Sequence, residues 1–147
     1  MDINDWEVVS GDSALKSALA KADIIDNGPP SVTNYQKNKL NTALEFVKNF
    51  TTAIDAGANY GIMSYNLNSK FSKICAFEVD NQVRECLKKN VKKFQLNNVE
   101  IYDCGLSDRE EFVSLTYLKN TFGTHINKNV SGDNICKTLD SFDLTEI

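Results

Sequence analysis

The stretch TTAIDAGANYGIMSYNL, residues 51–67, decides how the rest of the chain is read. Residues 51–55, TTAID, are β-branched and apolar and run into turn residues, which is the pattern of a short buried strand ending at Asp55. Two glycines follow, Gly57 and Gly61, with Asn59 between them. From Gly61 onward, GIMSYNLNSKF has the spacing of a helix. A glycine-rich turn between strand and helix can hold a ligand. Missing side chains let the ligand reach the backbone, and free N–H groups at the helix start point outward. The same turn can also be a tight crossover that holds nothing, and the glycine pair alone does not choose.

Working outward, KICAFEV reads as a second strand and NQVRECLKKNVKKFQL as a helix with Val83, Leu87, Val91 and Phe94 on its inner face. VEIYDCGL reads as a third strand. Strands alternating with helices of this length make consecutive βαβ units, hence an α/β fold on a parallel sheet. Beyond it, EFVSLTYL and NICKTLDSF read as short strands flanking a polar loop, KNTFGTHINKNVSGD. Toward the N-terminus, Leu15, Ala18, Leu19, Ala22 and Ile25 sit at helical spacing in residues 13–26, and NGPP at 27–30 stops that helix. A second helix is expected over about 34–50, with Leu40, Ala43, Leu44 and Val47 on one face. The chain therefore divides into an N-terminal helical segment, 1–50, and a partial ligand-binding domain, 51–147. Lysines 88, 89, 92 and 93 read as a solvated helix face. Phe46, Phe50, Phe71, Phe77 and Phe94 read as core. There is no internal repeat.

Composition removes several function classes. The 147 residues carry 16 basic and 20 acidic side chains, a net charge of −4, which argues against a nucleic-acid surface built on phosphate contacts. The acidic, polar N-terminus lacks the pattern of a signal peptide, and no apolar run is long enough for a membrane span. Cys75, Cys86, Cys104 and Cys136 form no C-x-x-C pair, and His125 is the only histidine. They read as buried free thiols in a reducing, cytoplasmic setting rather than as a metal site.

The second clue to a ligand is Glu78. It ends the second strand, 21 residues beyond Gly57, where an acid can accept hydrogen bonds from ribose hydroxyls at the carboxyl end of a parallel sheet. The dinucleotide pattern G-x-G-x-x-G fails, because Asn59 stands where its second glycine belongs. Turn and acid together favour an adenosine-containing ligand. A carboxylate at the end of so apolar a strand needs a partner.

In order, AIDAGANYG, AFEVD, a helix containing KKN, VEIYDCGLSD and KTLDSF resemble the successive motifs of the FkbM-type methyltransferases over residues 51–142. The resemblance implies a Rossmann-like class I methyltransferase fold with an incomplete parallel sheet, and S-adenosylmethionine as cofactor. It implies that the backbone at Asp55, Gly57, Ala58 and Asn59 holds the methionine end, with Gly61 allowing close packing. Glu78 then takes the ribose hydroxyls, while Asp80, Asp103, Cys104 and Gly105 border the adenine.

The implied reaction is methyl transfer to a hydroxyl of a small molecule or sugar, by positioning an acceptor oxygen on the methyl group. The acceptor is not legible in the sequence. His125 has the one unperturbed pKa suited to proton transfer near neutrality, yet an exposed loop histidine is the simpler reading. The rival class is a non-catalytic, partial Rossmann-like binding or interaction protein. The family pattern continues into a fourth strand with an acidic motif, which is not found before Ile147. The first strand is thus expected to present an open edge, covered by self-association or by a second chain.

Overall fold

Strand β1 (Thr52–Ala56) is the first element of the parallel sheet that organises the molecule. Before it lies α1 (Lys37–Leu44), and after it come α2 (Ile62–Leu67), β2 (Lys73–Phe77), α3 (Asn81–Lys93) and β3 (Val99–Tyr102). The computed structural model describes residues 5–13, 15, 17, 32–117, 125–127 and 132–144. The three strands run parallel in the order β1-β2-β3, with Asp55 beside Ala76 and Ala56 beside Phe77. The expected βαβαβ order is present, and the chain is a mixed α/β fold of Rossmann-like arrangement. That register ends β1 and β2 together, so the 57–61 turn and Glu78 emerge side by side.

Packing follows from the strand residues. β2 is the central strand and buries Ile74, Cys75, Ala76 and Phe77 almost completely. On one face, Leu87 of α3 packs with Ala58 and Ala76, flanked by Val91, Val99 and Ile101. Burying a side chain such as Leu87 contributes roughly 1.5–3 kcal/mol. On the other face, Cys75, Phe77 and Cys104 are covered by Ile54, Phe142 and Leu144, among others. Residues 139–144 thus cover a face of the sheet. Among the described residues, β1 pairs with β2 alone.

The third predicted strand is two. β3 stops at Tyr102, the chain bends at Asp103 and Cys104, and β4 (Gly105–Leu106) joins a second sheet. That sheet has the order β4-β7-β5-β6, with β5 (Glu111–Thr116), β6 (His125–Asn127) and β7 (Asn134–Lys137). β6 lies inside the stretch read as a polar loop, 119–133, of which 119–124 and 128–131 lie outside the described residues. Its three residues pair antiparallel with β5, Ile126 opposite Leu115.

The helix expected over 34–50 is shorter than its pattern. A 3-10 turn at Val32–Asn34 precedes α1, which ends at Leu44. Leu40, Leu44 and Val47 pack against Leu67, Phe71 and Ile74, as their spacing implies. Phe46 and Phe50 are not core: they are 78% and 43% exposed, because the helix ends before it can turn them inward. Phe71 and Phe77 are buried, and lysines 88, 89, 92 and 93 face solvent. All four cysteines are buried thiols. The helix read over 13–26 lies largely outside the described residues, as does NGPP. Within it, Leu15 is buried and shares a cluster with Trp6, Val32, Tyr60, Ile62, Val83 and Cys86. Trp6, Leu15 and Val32 thus pack in one cluster with residues of the 51–147 region.

Candidate functional site

The 57–61 turn is fixed from the sheet side by backbone bonds. The N–H groups of Gly57 and Ala58 both donate to the Phe77 carbonyl, each at 2.9 Å. Three of its five residues are left-handed: Gly57 at φ 76°, Asn59 at 51° and Gly61 at 92°. Asparagine is one of the few non-glycine residues that take this conformation at small cost, which suits Asn59 to its place between the glycines. Its side chain accepts the Tyr60 N–H at 2.9 Å. A Cβ on Gly61 would lie 2.6 Å from Leu87 Cδ1, so this glycine lets the start of α2 close on α3. A Cβ on Gly57 would meet nothing within 4 Å, and Gly57 borders open space.

Glu78 has the partner its position demands. Its Oε2 accepts the Asn59 N–H at 2.8 Å and its Oε1 accepts the Asp80 N–H at 2.9 Å. The carboxylate thereby staples the glycine turn to the start of α3. It is only 7% exposed, and burial pushes its pKa above the ordinary carboxylate range, against the opposing pull of the two N–H bonds. Each oxygen keeps one lone pair for a further donor.

Asp55 and Asp80 are also buried. Asp55 Oδ2 accepts the Ser64 hydroxyl at 2.6 Å, joining β1 to α2, and burial raises its pKa. Asp80 is the N-cap of α3: its Oδ1 accepts N–H bonds from Gln82 at 2.8 Å and Val83 at 3.3 Å. Both acids thus have structural bonds that the sequence does not announce.

These residues line a cavity of about 450 Å³, within the range of small-molecule sites. Of the sequence-derived candidates, Asp55, Gly57, Ala58, Asn59, Glu78 and Asp80 line it together, and Gly61 sits just behind. Asp103, Cys104 and Gly105 do not. Asp103 is exposed and Cys104 is buried under the far face of the sheet. Gly105 is packed against Cys136 and lies near Val79 and Ile126, which do line the cavity. His125 is on β6 beside Ile126; its side chain lies outside the described residues.

Tyr35, Gln36, Met63 and Ile126 complete the walls without having been singled out in the sequence. Gln36 holds φ 51° as the N-cap of α1, and its amide donates to the Tyr35 hydroxyl at 3.1 Å. A left-handed glutamine has no sequence signature. Charge is the cavity's most distinctive property. Its described lining carries three carboxyl groups, those of Asp55, Glu78 and Asp80, and no lysine, arginine or histidine. Arg84 turns its guanidinium to the carbonyls of Glu78 and Val79, at 2.9 and 3.2 Å.

No family model matches the chain, and no curated protein matches it. Among solved structures it is similar to the methyltransferase FkbM from Methylobacillus flagellatus KT, at 14% identity and a TM-score of 0.41. The match covers 66% of this chain and 24% of that one, so the chain spans about a quarter of that protein's length. No helix among the described residues is long and apolar enough to cross a membrane.

Proposed function

We propose that the chain binds S-adenosylmethionine at the β1–α2 turn and serves methyl transfer to a hydroxyl of a small molecule or sugar. The observation that carries this reading is a glycine turn whose cavity has carboxyl groups and no basic group in its described lining, with Glu78 at the end of the neighbouring strand. A ligand bearing a sulfonium and an ammonium gains from such a field, whereas a polyphosphate would bring like charges together in a partly desolvated space. The donor set therefore suits a cationic nucleoside better than a dinucleotide.

In this reading the backbone at Gly57, Ala58 and Asn59 would hold the amino-acid end. The remaining lone pairs of Glu78 would accept the ribose hydroxyls. Val79 and Ile126, with Gly105 behind them, would flank the base. When bound, the cofactor supplies a methyl group on a positively charged sulfur for displacement by an oxygen nucleophile. The chain's own contribution is orientation and charge. A second reading, a binding chain that transfers nothing by itself, is favoured by one observation. Asp55, Glu78 and Asp80 each already hold a structural hydrogen bond, so every carboxylate of the described lining has a part in the fold.

The outer edge of β1 is proposed to be covered by a second copy of the chain or by another chain, since β2 is its one described partner. Isothermal titration of S-adenosylmethionine and ATP into the purified chain tests the cofactor reading. Saturable binding of the sulfonium nucleoside without binding of ATP is expected. Equal binding of both, or of neither, contradicts it.

A further inference from the structure

Asn90 is a polar residue on the apolar face of α3, and it is wholly buried. Burying an amide there is costly unless its bonding groups are used. They are used on two separate parts of the chain. Its Oδ1 accepts the Glu7 N–H at 2.8 Å, and its Nδ2 donates to the Glu7 carbonyl at 2.9 Å and to the Tyr60 carbonyl at 3.0 Å. One side chain thus ties the N-terminal segment to the turn that lines the cavity.

Tyr60 makes the second tie. Its ring is buried between the turn and the N-terminal segment, its hydroxyl donates to Asp12, and the same oxygen accepts the Val9 N–H at 3.4 Å. Trp6 makes the third. It packs on Phe94, the C-cap of α3, with ring centres 4.7 Å apart and on Tyr65 of α2 at 5.8 Å. Residues 5–12 therefore grip both helices that leave the site. The bonds of Val9 and Asp12 and the Asn90 bridge from Glu7 converge on Tyr60, next to Asn59, whose N–H is held by Glu78, while Lys93 of α3 donates to the Asp5 carbonyl.

We propose that residues 5–12 form a strap that holds the 57–61 turn in its ligand-competent conformation, with Tyr60 and Asn90 as positioning residues. The turn needs such support, because sheet-side bonds fix Gly57 and Ala58 while the Tyr60 end depends on groups from outside the sheet. Val9 and Asp12 of the strap bond the Tyr60 hydroxyl, and Trp6 shares an apolar cluster with Tyr60, Ile62 and Val83, so the strap acts on the site through the turn and the helix starts behind it. The inference rests on the cofactor reading only for the identity of the ligand.

Amide hydrogen exchange of the full chain without ligand tests it, comparing the parent with Tyr60→Phe and with Asp12→Ala. Tyr60→Phe keeps the ring in the core, and Asp12→Ala alters the strap from outside the turn, so the test survives if one variant folds poorly. Both variants should exchange the Val9 amide about fivefold faster, the equilibrium weight of one ordinary hydrogen bond. The Asn59 amide should rise with it, while the Ile74 amide of β2 should not change. Faster exchange at Val9 with Asn59 unchanged would overturn the strap. So would a uniform rise that includes Ile74, which would mean general destabilisation. In the ligand arm, both variants should bind S-adenosylhomocysteine about fivefold more weakly than the parent. Failure of the parent to bind would count against the cofactor reading alone, since the exchange comparison decides the strap without it.

Discussion

Replacing Glu78 by alanine should destabilise the protein itself and not only weaken a ligand. In the sequence, Glu78 reads as a ribose acceptor at a strand end that needs a partner. Its carboxylate holds the Asn59 and Asp80 N–H groups at 2.8 and 2.9 Å. Hydrogen bonds to a charged group contribute about 1.5–3 kcal/mol each, so two of them represent about 3–6 kcal/mol. Burial of the carboxylate opposes this, as its raised pKa shows, and removing the charge returns part of the sum. The net loss should be about 2–4 kcal/mol, given that two donors are left without their acceptor. For a domain of this size that corresponds to a fall in Tm of about 4–16 °C. Glu78→Gln should cost less, because its carbonyl can still accept one N–H while its amide faces the other donor. Urea unfolding followed by circular dichroism measures all three chains. An alanine variant within about 0.5 kcal/mol of the parent would refute the stapling role, since that is the range of ordinary surface substitutions.

Gly57→Val should abolish binding of S-adenosylmethionine in a calorimetric titration, because a β-branched residue at φ 76° is strained and its side chain enters the cavity border; undiminished binding would make the turn purely structural. Asp55→Asn should show a pH-dependent gain in stability. Burial raises the folded pKa of Asp55, so the folded state binds the proton more tightly than the unfolded one, and stability is lost as pH rises from the ordinary value of 3.8 through the raised value. Asparagine can still accept the Ser64 hydroxyl without carrying charge, so the variant's advantage in urea midpoint should be larger at pH 8 than at pH 4; an advantage that shrinks with rising pH would contradict this. Light scattering should find the chain self-associated or captured by a second chain at the β1 edge, and a clean monomer with rapidly exchanging β1 amides would count against it.

The sheet was legible because its signals are local. TTAID and KICAFEV are short apolar runs closed by turn residues, and the 83–87–91–94 spacing of α3 sets the helix between β2 and β3. The turn and Glu78 were legible for the same reason, one motif at each strand end. What was missed depends on distant pairings. The Asn90–Glu7 bonds join residues 83 apart, and no local pattern encodes them. A trace existed, since an asparagine on the inner face of an amphipathic helix breaks its stripe, but the trace names no partner. Phe46 and Phe50 were misread because aromatic character implies burial only where the helix continues, and α1 ends at Leu44. β6 escaped because three residues in a polar stretch carry no period.

The turn at the end of β1 and the acid at the end of β2 are proposed to hold a sulfonium nucleoside between them. Titrating S-adenosylmethionine into isotopically labelled chain, while following backbone amide resonances, tests it residue by residue. The account predicts saturable shifts concentrated at Gly57, Ala58 and Asn59 and at Glu78, Val79 and Asp80, with the amides of β5 and β7 unmoved. Shifts centred elsewhere on the surface, or none at saturating ligand, would contradict it.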